Sequence, residues 1–260
     1  MSFQNLLVED RGAVRLITLN RPDKLNALNR DTLTELHTAF AAAAESDAVR
    51  VVVLTGAGSK AFVAGADIAE MNSLSPLQGR EFSLHGQRLM RRIETLGKPV
   101  IAMINGFALG GGFELAMCCH LRVAAETAKI GQPEINLALL PGFGATQRLS
   151  RLAGRAAALD LCLTGTPISA TRAVELGLLT RVVAPEQLQD ETFKLAEQLA
   201  SASPVALRAI LDAVVLGNEM PLEAGLDYES QIFGLTFSST DMKEGTSAFL
   251  ERRKPAFVGH

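Results

Sequence analysis

Two stretches of the 260-residue chain each set one carboxylate among apolar and glycine residues, and chemistry can start at those two acids. The first runs Ile104-Asn105-Gly106-Phe107-Ala108-Leu109-Gly110-Gly111-Gly112-Phe113-Glu114-Leu115-Ala116-Met117, and Glu114 is the sole charge between Ile101 and Cys119. Glycines let a backbone come close to a ligand, and the free N–H groups at a helix start can hold developing negative charge. The second runs Ile130-Gly131-Gln132-Pro133-Glu134-Ile135-Asn136-Leu137-Ala138-Leu139-Leu140-Pro141-Gly142, where Glu134 is again the lone charge and two prolines break regular structure. Two carboxylates beside one apolar cavity would push at least one pKa upward, which keeps a glutamic acid able to deliver a proton at neutral pH. A first-turn acid favoured by the helix dipole, or two glutamates satisfied separately by backbone N–H groups, also fits the spacing. A third segment, Gly58-Ser59-Lys60-Ala61-Phe62-Val63-Ala64-Gly65-Ala66-Asp67-Ile68, has small residues that permit close approach to its N–H groups, and Asp67 can cap the helix after it.

Other chemistries find less support. The histidines are His37, His85, His120 and His260, and none forms an HExxH or paired CxxC arrangement, so no metal site is expected. Cys118-Cys119-His120 is contiguous, so on a helix its side chains diverge and core packing is the better account. There is no G-x-S-x-G elbow and no Walker A motif, and Gly142-Phe143-Gly144 lacks the third glycine of a dinucleotide fingerprint.

The elements that must hold these segments alternate. Val14 to Leu19 reads as a half-buried strand, Leu33, Leu36, Phe40 and Ala43 recur at helical spacing, and Val49 to Leu54 reads as a strand buried on both faces. A helix carrying Phe82, Leu89, Ile93 and Leu96 leads to a strand at Pro99 to Ile104, then a helix at Phe113 to Cys119 and a strand at Leu121 to Ala124. This is an α/β pattern with parallel pairing. Beyond about residue 155 helices dominate, at Ala170 to Leu176, Pro185 to Leu199, Pro204 to Leu216 and Lys243 to Lys254, with one strand at Thr180 to Val183.

The chain is 48% hydrophobic and 20% charged, which excludes a disordered protein, and a net charge of −3 argues against nucleic acid and anionic membrane as partners. An odd set of three cysteines, two of them adjacent, argues against a disulfide framework. The opening MSFQNLLVEDRGAVRL has acids where a signal peptide needs an apolar core, and no apolar run approaches the roughly 20 residues that span a bilayer. A cytoplasmic protein is expected.

Taken together, the segments resemble the crotonase, or enoyl-CoA hydratase/isomerase, superfamily, and the likeness is nearest the hydratases. It is carried by Asn20-Arg21-Pro22 with Leu25-Asn26-Ala27-Leu28, by Ala61 to Ile68, by Ala108 to Leu115 and by Gly131-Gln132-Pro133-Glu134. Pro141 to Leu149, Leu163-Thr164-Gly165, Leu176-Gly177-Leu178 and Lys243-Glu244-Gly245 extend it over essentially the whole chain. The resemblance implies a right-handed spiral of strand-strand-helix turns over residues 1–195, holding an acyl-CoA site, and a C-terminal helical region over 196–260 that makes a homotrimer or a dimer of trimers. It implies reversible addition of water to a trans-2-enoyl-CoA thioester, giving a 3-hydroxyacyl-CoA. Glu114 and Glu134 are then the catalytic pair, and the amides of Ala66 and Gly111 the oxyanion hole, where small residues avoid obstructing the thioester. Leu25, Lys60, Ala64, Asp67, Ile68 and Gly142 become candidate CoA or substrate contacts, with coenzyme A part of the substrate and no separate cofactor. Ala69 departs from the family, since many hydratases have a lysine there. The nearest rival is an enoyl-CoA isomerase, which generally relies on the acid at the Glu134 position alone, so Glu114 favours hydration. RNA binding, found in some relatives, needs a basic face that the acidic composition does not suggest.

Overall fold

Parallel strands joined through helices organise the protein, described by the computed structural model over residues 3–260. Met1 and Ser2, the start of the segment read for a leader, lie outside the described residues. Strands β1 (Leu6–Arg11) and β2 (Val14–Leu19) form an antiparallel pair, followed by helix α1 (Arg30–Glu45) and strand β3 (Val51–Gly56). Asn29 caps α1 by accepting from the Thr32 amide, and Leu33, Leu36, Ala39, Phe40 and Ala43 fall on its buried stripe. All six residues of β3 are buried, as expected for a strand covered on both faces.

A repeating unit begins there. After β3 come a short strand β4 (Ala61–Val63) and helices α2 (Ile68–Met71) and α3 (Pro76–Glu94). Next are β5 (Val100–Ile104), β6 (Phe107–Leu109) and α4 (Gly111–Met117), and then β7 (Leu121–Ala125), β8 (Lys129–Gly131) and α5 (Ala145–Thr164). The first strand of each unit enters one sheet and the second enters another, so the chain advances as strand-strand-helix turns of a spiral. The remaining elements are β9 (Ile168–Ser169), α6 (Ala170–Glu175), β10 (Arg181–Val183), α7 (Leu188–Ala200), α8 (Pro204–Gly217), α9 (Leu222–Thr236) and α10 (Thr240–Leu250). One sheet has the order β1-β2-β3-β5-β7-β10 and the other β4-β6-β8-β9. The strands of successive turns pair in parallel, for example Val53 beside Ile101 and Ala108 beside Ile130, while β1–β2 and β8–β9 are antiparallel.

The α/β core and helical tail agree with the sequence reading, and several details correct it. The strands β4, β6 and β8 have three residues each, too few to show a period, and their absence from that reading hid the second sheet. Helices α5 and α9 and strands β1 and β9 were not expected. The last helix covers Thr240–Leu250 rather than Lys243 to Lys254, because Ser239 caps it at Met242 and Arg252 turns left-handed with φ 55°. Arg252, Arg253 and Lys254 therefore lie outside the helix, and Arg253 pairs with Glu244 and Glu251.

The larger core lies between the sheets and helices α1, α3, α4 and α5, with Phe40, Phe62 and Phe113 fully buried, and a second cluster packs α7 against the far side of the larger sheet. Helices α8 and α9 pack together but bury none of their residues. Among the described residues no single helix is long and apolar enough to cross a membrane.

Candidate functional site

Three successive spiral turns converge on one cleft of about 1100 Å³, lined by Ala66, Ile68, Gly111, Glu114, Glu134 and Gly142 among others. Each arrives from the loop or helix that follows a strand of the smaller sheet. Ala66 follows β4, in a one-residue parallel bridge with Leu28. The Leu28 amide donates to the Gly65 carbonyl at 2.9 Å and the Asp67 amide to the Leu28 carbonyl at 2.8 Å. Those bonds bracket Ala66, so its own N–H points away from Leu28 and has no protein acceptor among the described residues.

Gly111 follows β6 as the first residue of α4, where an amide has no intrahelical partner. Its N–H likewise has no acceptor among the described residues. A Cβ placed on Gly111 would lie 3.6 Å from the Ala66 nitrogen and 3.1 Å from the Phe143 ring, so a side chain here would intrude beside the Ala66 amide. Gly110, with φ +51°, makes the sharp entry into α4, and a Cβ there would stand 2.5 Å from Glu134 Oε1. Only glycine suits both the angle and the neighbour.

Glu114 sits in the first turn of α4 and is 1% exposed. Its Oε1 accepts two amides, Phe143 at 2.8 Å and Ala145 at 2.7 Å, while Oε2 takes no hydrogen bond from the described residues. Burial pushes its carboxyl up to about 7; the Glu134 charge adds to the rise, and the two amides and Arg148 oppose it. Glu134 lies in a 3-10 turn (Pro133–Leu137) that Ala138 closes with φ +56°, and burial pushes its carboxyl to about 7 as well. Gln132, fully buried, faces both Glu134 oxygens with its side-chain amide, and assigning the nitrogen to that side, where a carboxylate calls for a donor, gives separations of 3.1 and 3.2 Å.

The remaining candidates divide. Ile68 and Gly142 line the cleft, Ile68 half exposed and Gly142 holding its carbonyl to Ser83 Oγ at 2.5 Å and Gln87 Nε2 at 3.0 Å. Leu25, Lys60, Ala64 and Asp67 lie outside the lining of that cleft. Leu25, at φ 50°, accepts from the Ala64 amide at 3.0 Å, so those two are neighbours across the rim. Lys60 is an exposed loop residue. Asp67 caps α2 through the Ala69 amide and pairs with Arg21 at 2.9 Å, which commits its carboxylate to the loop.

Sequence reasoning missed four residues that shape the site. Arg21 and Gln132 stand inside motifs that carried the resemblance, yet nothing in their spacing showed Arg21 meeting Asp67 or Gln132 meeting Glu134. Phe143 packs its ring against Phe82 at 5.3 Å between centroids, and a Cβ on Gly86 would collide with it. Arg148 makes a two-bond fork with Glu94, at 2.5 and 2.9 Å.

With this geometry fixed, comparison with known proteins is informative. A family model described as enoyl-CoA hydratase/isomerase matches residues 9–260. The chain belongs to that family. It is 46% identical over 258 residues to a crotonyl-CoA hydratase of Syntrophomonas wolfei, covering 99% of each chain. A short-chain-enoyl-CoA hydratase of Clostridium acetobutylicum is 44% identical, with 98% of this chain and 97% of that one covered. Among solved structures, an enoyl-CoA hydratase from Bacillus anthracis superposes with a TM-score of 0.95 at 41% identity, covering 99% of this chain and all of the other. The spiral with its C-terminal helices is thus the fold of the enoyl-CoA hydratase/isomerase family.

Proposed function

We propose that this protein is an enoyl-CoA hydratase, a lyase that reversibly adds water to a trans-2-enoyl-CoA and yields a 3-hydroxyacyl-CoA. The observation that carries the reading is the cleft itself: two carboxyls held near 7 share it with two unbonded amides. The names of the relatives, crotonyl-CoA and short-chain-enoyl-CoA hydratase, support the same substrate class.

The thioester oxygen docks between the Ala66 and Gly111 amides. As the water oxygen bonds to C3, electrons move onto that oxygen, and each fixed donor is worth about 3 kcal/mol in the enolate-like transition state. Glu114 takes the proton from water at Oε2, because Oε1 is occupied by two N–H groups and is the poorer base. Glu134 gives its proton to C2, and dehydration reverses both transfers. The near-neutral carboxyls suit this exchange, since each group has to hold and release a proton at the same pH. The addition balances in atoms and charge with no cofactor beyond the coenzyme A of the substrate; it leaves Glu114 protonated and Glu134 ionised, and proton exchange with solvent restores both for the next turnover. Around the rim, Leu25, Ala64 and Ile68 would face the pantetheine arm and Lys60 a CoA phosphate, while Asp67 shapes the loop through Arg21.

The test is Glu114→Gln assayed on crotonyl-CoA. Loss of one general base predicts hydration lowered by about 10²–10⁴-fold with CoA affinity nearly intact. Retained hydration would sink the two-glutamate mechanism, and retained turnover as double-bond migration would select an isomerase. For assembly, we propose a homotrimer or a dimer of trimers through residues 196–260. Helices α8 and α9 have no fully buried residue within the chain and expose Ile210, Val214, Phe233 and Leu235. Sedimentation equilibrium returning a monomer would refute this. We further propose a cytoplasmic protein, and its net charge of −3 speaks against a nucleic-acid or anionic-membrane partner.

A further inference from the structure

We infer that the Arg148–Glu94 ion pair is the positioning device for Glu114. The inference rests on the hydratase reading, in which Glu114 handles the water proton. Glu94 is the last residue of α3 and Arg148 lies in the first turns of α5, and both side chains are 18% exposed. The guanidinium spends Nε and Nη2 on the two Glu94 oxygens and turns Nη1 to the Phe143 carbonyl at 3.0 Å. The same Phe143 donates its amide to Glu114, and Ala145, two residues on, donates the second. Arg148 therefore grips from behind the short loop that grips Glu114 from the front. The grip excludes a side chain at Gly144, where φ is +117° and a Cβ would run into Arg148 Nη1. A mostly buried ion pair adds little to stability once desolvation is counted, so stability alone gives a weak reason for this one.

The charge acts as well as the fork. The ionisable groups around Glu114 and its Arg148 partner are Glu134 from the 3-10 turn, Arg148 and Cys162 from α5, Glu94 from α3, and Cys118 and Cys119 just past the end of α4. Arg148 supplies the cation of this set and favours the ionised acid, and Glu94 offsets that cation. Hydration needs Glu114 ionised, so the acidic limb of log kcat/KM against pH reports this balance.

The experiment measures pH profiles of crotonyl-CoA hydration for the wild type, Arg148→Gln, Arg148→Lys and Glu94→Gln, with Tm recorded for each. Arg148→Gln is expected to move the acidic limb up by about one pH unit and to lower kcat about 100-fold with little change in KM. Glu94→Gln should move the limb the opposite way, to lower pH, because the cation is no longer offset. Arg148→Lys keeps the charge without the fork, so its limb should stay near the wild type while kcat falls. A purely structural pair would lower activity and Tm without opposed shifts. Folded variants whose limbs coincide with the wild type, or move in the same direction, overturn the inference while leaving the hydratase reading intact. If Arg148→Gln does not fold, an unshifted Glu94→Gln limb is sufficient to overturn it. A wild-type protein that fails to hydrate crotonyl-CoA overturns the hydratase reading and this inference together.

Discussion

Replacing Gly111 with alanine isolates the amide pair from the rest of the site. The added methyl would stand 3.6 Å from the Ala66 nitrogen, where the proposed mechanism brings the thioester oxygen, and 3.1–3.2 Å from the Phe143 ring. Its structural cost is small. Gly111 opens α4, its φ lies outside the left-handed region, and alanine is the better helix former by about 1 kcal/mol. Against that stands a contact tighter than usual with one ring, which has to give by a few tenths of an ångström, for a cost of about 1–2 kcal/mol. The two effects nearly cancel, so Tm should change by only a few degrees. Catalysis should not be spared. If the oxygen is kept out of reach of both donors, the loss is about 6 kcal/mol, or about 10⁴-fold in kcat/KM. Binding of free coenzyme A, which has no acyl oxygen, should be unchanged. The assay is the disappearance of the conjugated thioester of crotonyl-CoA, beside a thermal melt of the same preparation. Turnover within tenfold of the wild type would show that no developing charge rests between these amides. An equal loss in a protein melting far lower would mean that the substitution damaged the fold instead.

Two further outcomes follow from the same geometry. Glu114 is buried with a carboxyl held at about 7, above the unfolded value of about 4.3, so its contribution to stability is complete below the unfolded value and is lost as pH rises through 7. Glu114→Gln keeps an oxygen for the Phe143 and Ala145 amides and cannot ionise. It should therefore be more stable than the wild type by about 3 kcal/mol above pH 7, with the gap closing by about pH 4 in denaturant titrations. A constant gap across that range would contradict the burial of a titrating acid. Gly110→Ala places a methyl against Glu134 at a left-handed backbone position; kcat should fall about 100-fold and stability by about 1–2 kcal/mol, read by steady-state kinetics and Tm.

Both carboxylates were legible in the sequence because a lone charge among apolar and glycine residues stands out. The main strands were legible because six buried residues in a row, as in Val51–Gly56, leave a pattern. The amides were not legible from residue types, since a backbone N–H leaves no letter; the family resemblance alone pointed to Ala66 and Gly111. The Glu94–Arg148 fork joins helices 54 positions apart, and charges near the end of one helix and the start of another look like ordinary surface residues until the spiral brings them together. Helix α9 escaped for a related reason. None of its residues is buried within this chain, so its apolar residues follow no single core-facing stripe.

The spiral has a consequence for how such a centre can change. One rung supplies Ala66, the next Gly111 and Glu114, and the third Glu134, and each rung is anchored by its own short strand. Exchanging the acid on the third rung, or the segment leading to Ala66, leaves the pairing of the other two in place. A scaffold wired this way can trade one reagent at a time, acquiring a different reaction on a thioester without first dismantling the cradle proposed to polarise it.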